Sequence, residues 1–205
     1  MIITDPGAIE ARSMEIIESE LTVEIPEENK AVVKRVIHAT ADFDYAKNLA
    51  FSEGAAARGL DALRRGCAIV TDTQMARAGI NKAAAARLGC EIFCFMSDPD
   101  VAEEARARGI TRAVASMEKA ARLGRPLLFA VGNAPTALLA LRALIDEGRV
   151  TPELVIGVPV GFVNILEAKE AILSSDVPYI VARGRKGGSN VAAAIVNALM
   201  YQITR

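Results

Sequence analysis

Residues 127–148 read LLFAVGNAPTALLALRALIDEG, and the order of elements inside this stretch decides the fold class. Leu127 to Val131 are five apolar residues in a row, the length of a strand buried on both faces. Gly132, Asn133, Ala134, Pro135 and Thr136 follow, a segment rich in turn formers and helix-capping residues. An Ala/Leu-rich run then continues to Glu147 and stops at Gly148, where a left-handed backbone ends a helix without a Cβ penalty. Strand, tight turn and helix in that order make half of a βαβ unit, and such units join into a parallel sheet.

The same alternation runs from about residue 68 to the end. Strands are expected at 67–70, 91–96, 127–131, 154–158 and 179–182, and helices at 82–88, 101–108, 114–123, 135–147, 165–173 and 190–203. Gly89, Gly109 and Gly124 close helices as Gly148 does. The prediction is an α/β fold, a three-layer α/β/α sandwich around a mainly parallel sheet of about five strands. The first 65 residues read as two or three helices with no strand. They form an N-terminal helical extension of a single domain over 1–205, because no Ser/Gly/Pro linker, repeat or low-complexity tract sets them apart.

Composition narrows the function. With 52% hydrophobic residues but 4% aromatic and no Trp, the core is built from short aliphatic side chains, which favours helices laid closely on a sheet. Lys and Arg number 24 against 25 Asp and Glu, so the chain lacks the electrostatic footprint of a partner for nucleic acid or a membrane surface. The first residues carry no basic region followed by an apolar run, and no segment approaches the roughly 20 apolar residues of a membrane span, so a cytoplasmic protein is expected. Cys67, Cys90 and Cys94 lie in apolar strand-like runs; Cys90 and Cys94 fall on one strand face, and all three read as buried small hydrophobes rather than ligands.

In an open parallel sheet the binding crevice lies beyond the carboxyl ends of the strands. The segments there are Thr71-Asp72-Thr73-Gln74, Ser97-Asp98-Pro99, the Gly132 to Thr136 turn, Pro159-Val160-Gly161-Phe162-Val163-Asn164, and Arg183-Gly184-Arg185-Lys186-Gly187-Gly188-Ser189-Asn190. Turn and cap chemistry explains much of this. Two loops exceed it. Residues 161–164 expose Phe162 and Val163 after a proline, and residues 183–189 place three cations beside three glycines at a helix start, an arrangement that receives carboxylates or phosphates. Thr71, Asp72, Asn133, Thr136, Gly161, Val163, Arg185, Lys186, Gly187 and Ser189 are the candidate binding residues of this edge.

His38 is the only histidine. It ends a helical segment from Glu27 whose apolar residues Val32, Val33, Val36 and Ile37 cluster on one side, while Lys34, Arg35 and His38 fall together on the other at 100° per residue. Adjacent positive charge favours the neutral, proton-accepting imidazole. The preceding helix, 7–21, carries Ile9 and Ile16 on its expected inner face with Ser13 between them and Arg12 at the edge; these polar residues either fill core space or line a pocket. Absent signatures matter too. There is no G-x-x-x-x-G-K-[ST], no G-x-G-x-x-G after the first strand and no G-x-S-x-G. A single histidine excludes a His-rich metal centre, and no metal site is expected.

The segments Arg35-Val36-Ile37-His38-Ala39-Thr40, Val70-Thr71-Asp72-Thr73-Gln74-Met75, Gly132-Asn133-Ala134-Pro135-Thr136-Ala137-Leu138, Gly157-Val158-Pro159-Val160-Gly161-Phe162-Val163 and Arg183 to Ser189 together resemble the precorrin-8X methylmutase family, over essentially the whole chain. The resemblance implies an isomerase of cobalamin synthesis that moves a methyl group from C-11 to C-12 of precorrin-8X or cobalt-precorrin-8, giving hydrogenobyrinate or cobyrinate. It implies a homodimer with its site near the subunit interface and no separate cofactor. It puts the catalytic histidine at His38 and substrate contacts at Ser13, Arg35 and Arg112. Peripheral acetates and propionates would meet the 183–189 loop, and Val160, Phe162 and Val163 would lie against the ring. Two other classes remain: a tetrapyrrole carrier without catalysis, which would bind product but not isomerise, and a nucleotide-binding domain using residues 183–189 for phosphate, which nucleotide-induced thermal stabilisation would reveal.

Overall fold

The computed structural model describes residues 2–205. In chain order the elements are α1 (Pro6–Glu20), α2 (Glu27–Thr40), the single turn α3 (Tyr45–Asn48), β1 (Leu49–Phe51), α4 (Ala55–Arg64) and β2 (Ala68–Thr71). Next come α5 (Gln74–Gly79), α6 (Lys82–Arg87), β3 (Ile92–Phe93), α7 (Pro99–Arg108), α8 (Arg112–Ala121) and β4 (Leu127–Val131). The chain finishes with α9 (Pro135–Asp146), β5 (Leu154–Gly157), α10 (Ile165–Leu173), β6 (Tyr179–Ala182) and α11 (Ser189–Thr204).

The sheet order is β1-β6-β5-β4-β2-β3, with every neighbouring pair parallel except β1 against β6. Side chains alternate strictly across it. Ile69, Leu128, Ala130, Leu154, Ile156 and Ile180 face one core, completed by α1, α2, α4, α6 and α11. Val70, Leu127, Phe129, Val131, Val155 and Val181 face the other, completed by α7 to α10. This is the predicted three-layer α/β/α sandwich, and no helix of the described residues is long and apolar enough to cross a membrane.

Three details differ from the sequence reading. The first 65 residues do contain a strand, β1, which pairs Leu49 with Ala182 and Phe51 with Ile180 and caps the β6 edge of the sheet. The 91–96 run is not one strand: Ile92 and Phe93 pair with β2, after which Phe95–Ser97 coil into a 3-10 turn. Cys94 therefore precedes a turn, although all three cysteines are free and buried as expected. The inner face of α1 is formed by Glu10, Met14, Ile17 and Leu21, at helical spacing, while Ile9 and Ile16 stand 44% and 40% exposed. The inward stripe is set by Glu10 reaching Arg35 on α2 and Arg205 just beyond α11, a contact between distant segments that outweighs the isoleucine spacing.

Candidate active site

Four βα loops meet beyond the carboxyl ends of β2, β4, β5 and β6. The Asp72 carboxylate, fully buried, accepts the backbone N–H groups of Gly132 (2.8 Å), Asn133 (2.8 Å) and Ala134 (2.7 Å). Burial pushes this carboxyl above its ordinary range, and the three amide donors pull against that shift. Thr71 is likewise buried, its hydroxyl donating to Thr73 O and Phe93 O. Both residues were expected to touch substrate; in this structure both are buried, are engaged by main chain and shape the loop. Thr73, which caps α5, shares a 2.7 Å hydrogen bond with Ser189 at the start of α11.

The other two loops are pressed together so tightly that they need glycine. A Cβ on Gly187 would lie 2.1 Å from Val158 O, and one on Gly132 would lie 2.7 Å from Ser189 Cα. The Gly188 N–H donates to Val158 O at 2.8 Å, and the Gly161 N–H to Arg185 O at 3.3 Å. The rim thus built exposes Phe162 (80%) and Val163 (76%), with the Arg185 guanidinium 5.5 Å from the Phe162 ring centre. Asn133 is exposed and Thr136 half-buried on the adjoining loop, where the Thr111 hydroxyl donates to that of Thr136 at 3.3 Å. Arg112, the first residue of α8, is exposed with one N–H 3.4 Å from Met96 O.

Lys186 is not a free cation. Its ammonium contacts the carboxylates of Asp42 (2.6 Å) and Asp44 (2.7 Å), which hold its pKa above the ordinary lysine value, while Lys186 lowers that of Asp42. These aspartates follow α2 directly, after Ala41 turns the chain with φ 53°. The pairing therefore ties the glycine loop to the end of the helix that carries His38.

His38 itself is exposed on the polar side of α2, opposite buried Val32, Val33, Val36 and Ile37, as its spacing required. Its neighbouring cations are engaged elsewhere. Lys34 pairs with Glu18 at 2.8 Å, and Arg35 pairs with Glu10 at 2.5 Å while lying 5.2 Å from the Tyr201 ring centre. Glu10, also paired with Arg205, is held below the usual carboxylate range chiefly by Arg35. Tyr201 sits about 18 Å along α11 from Ser189 at 1.5 Å per residue, so Arg35 is directed away from the loop rim. Ser13 donates to Ile9 O at 2.8 Å, and Arg12 pairs with Glu15 on the exposed side of α1. The chain thus brings Asp72, Asn133, Gly161, Arg185, Gly187 and Ser189 together at one edge, to which the Lys186 ion pairs tie the segment that follows the His38 helix; it leaves Arg12, Ser13 and Arg35 in a separate layer.

Sequence reasoning missed Lys169. This α10 residue is 1% exposed, and its ammonium donates to Gly184 O (2.7 Å) and Lys186 O (2.8 Å). Burial lowers its pKa to about 8. The available signal was a lysine on the stripe of Ile165, Ala168 and Ile172, where an apolar residue belongs. Among the described residues no three His, Cys, Asp or Glu side chains group as metal ligands.

The precorrin-8X methylmutase family model matches residues 8–202. The cobalt-precorrin-8 methylmutase of Salmonella typhimurium is 48% identical, covering 98% of this chain and 97% of that one. The precorrin-8X methylmutase of Pseudomonas aeruginosa is 38% identical, with 96% of each chain covered. The crystal structure of precorrin-8X methyl mutase from Thermus thermophilus superposes with a TM-score of 0.89 at 42% identity over 95% of both chains. Sequence and fold agree over nearly the whole length: the chain belongs to the precorrin-8X methylmutase family.

Proposed function

We propose that this chain is an isomerase of cobalamin synthesis that shifts a methyl group from C-11 to C-12 of precorrin-8X or cobalt-precorrin-8, with His38 as the proton donor or acceptor. The observation that carries this reading is the rim at the carboxyl edge of the sheet. There the Arg185 guanidinium stands beside exposed Phe162 and Val163, a cation next to an apolar face. A flat macrocycle fringed with carboxylates matches both features at once. The methyl shift is intramolecular and needs no donor or nucleophile, so the residues hold the ring and move one proton. Proton transfer at the macrocycle by His38 selects the tautomer that rearranges, and completion of the conjugated system drives the step.

Arg112, Asn133, Thr136 and the 183–189 loop supply the remaining contacts in this reading, while Ser13, Arg12 and Arg35, set apart from the rim of their own protomer, contribute from the α1–α2 layer of a second copy. A homodimer with the site near its interface is part of the proposal. Two exposed apolar clusters support it: Ile2, Ile9 and Ile16 around α1, and Val160, Phe162, Val163 and Leu166 before and within α10. The test is incubation with metal-free and with cobalt-loaded precorrin-8, followed by absorbance, beside sedimentation of the free protein. Conversion of at least one substrate by a dimeric species is expected. Binding without a spectral change would favour a carrier, and a monomer with full activity would remove the interface from the site.

A further inference from the structure

Lys169 is the only buried cation among the described residues. Moving an ammonium out of water is costly unless its hydrogens meet good acceptors, and the acceptors here are specific. Gly184 O and Lys186 O, at 2.7 and 2.8 Å, are the carbonyls on either side of Arg185. Anchoring both fixes the peptide unit that enters Arg185 and the one that leaves Lys186, so the two-residue segment Arg185–Lys186 is pinned at each end. The peptide unit between them, on the far side of Arg185, is held by the Gly161 N–H, which donates to Arg185 O at 3.3 Å. From this backbone the guanidinium lies over the Phe162 ring, 5.5 Å from its centre. Lys186 does not duplicate this role, because its side chain runs the other way, to Asp42 and Asp44.

We propose that Lys169 is a positioning residue: from beneath the loop, it holds residues 184–186 in the form in which Arg185 receives a substrate carboxylate. The inference rests on the reading above that this loop binds carboxylates. Lys169 touches no substrate. It makes the loop rigid before binding, so that the ordering of a glycine-rich segment does not weaken the complex.

Replacement Lys169→Met keeps the aliphatic stem and removes both hydrogen bonds. Hydrogen exchange on the free dimer or monomer, as isolated, should accelerate at the amides of residues 184–188 by about tenfold or more, with the rest of the sheet and α10 unchanged. KM for precorrin-8 should rise about tenfold, with kcat falling less than about threefold, the pattern of lost binding rather than lost chemistry. Lys169→Gln, which retains one donor, should fall between the two and serves where the methionine variant does not fold. Unchanged loop exchange in a folded variant overturns the positioning role, as does acceleration spread evenly over the whole sheet. Arg185→Ala, measured in parallel, separates the two layers of the argument. If the Lys169 variants loosen the loop while neither they nor Arg185→Ala alter KM, the loop does not receive carboxylates, and the binding role given to Lys169 falls with it.

Discussion

At the carboxyl edge of the sheet, ions are buried and answered by main chain: Asp72 by three amide N–H groups, Lys169 by two carbonyls. In the α1–α2 layer, ions answer one another at the surface, as in Glu18 with Lys30 and Lys34 and Glu10 with Arg35 and Arg205. The first arrangement fixes backbone. Two buried charges define where three loops run, and glycines at 132 and 187 allow those loops to touch. The second fixes only the docking of one helix on another, and it leaves His38 exposed with its side chain directed to solvent. The proposed reading uses both features: the edge to hold a large ring and the exposed imidazole to act on it at one place.

Substitutions should divide along the same line. The largest loss of stability is expected for Asp72→Ala, which orphans three amide donors in a buried setting; chemical denaturation should register about 4 kcal/mol. A loss under about 1 kcal/mol would mean that the 132–134 loop closes without it. Next is Gly187→Ala, whose Cβ would collide with two backbone carbonyl oxygens. Backbone cannot yield as a side-chain end does, so about 2 kcal/mol is expected, with loss of substrate affinity beyond that of a remote variant of equal stability.

Glu10→Gln in the α1–α2 layer should cost only about 1 kcal/mol at pH 7, since its pairs are partly exposed. Its pH dependence is the sharper test. The folded carboxyl lies below its ordinary value of 4.5, so its contribution is present above that value and is lost as pH falls through the folded pKa. The gap between wild-type and variant stabilities should therefore begin to narrow as pH falls below about 4.5 and close only below the folded pKa. A gap that stays constant into acid would assign the effect to packing of α1 rather than to the ion pairs.

Much of this division was legible in the sequence, and the exceptions have a common cause. The 127–148 stretch declared its strand, turn and helix because local pattern, turn chemistry and a closing glycine agree there. The placement of His38 followed from helical geometry alone. What escaped depends on contacts between distant segments. β1 is three residues long and exists only because β6 offers it an edge. Lys186 looked like a free anion-binding group until the fold set Asp42 and Asp44 against it. Asp72 and Thr71 lie at the carboxyl end of β2 as expected, but are drawn beneath the surface by amides and carbonyls that no side-chain pattern announces. Lys169 was visible as a cation on an apolar stripe, but its acceptors lie in a loop that comes after it in the chain.

The central claim is that His38 carries the proton transfer while contributing nothing to the framework, and His38→Ala tests both halves in one preparation. With precorrin-8 followed by absorbance and thermal unfolding followed by circular dichroism, turnover should fall about 100-fold or more with Tm within about 2 °C of wild type. Turnover within threefold of wild type in a folded protein would contradict it.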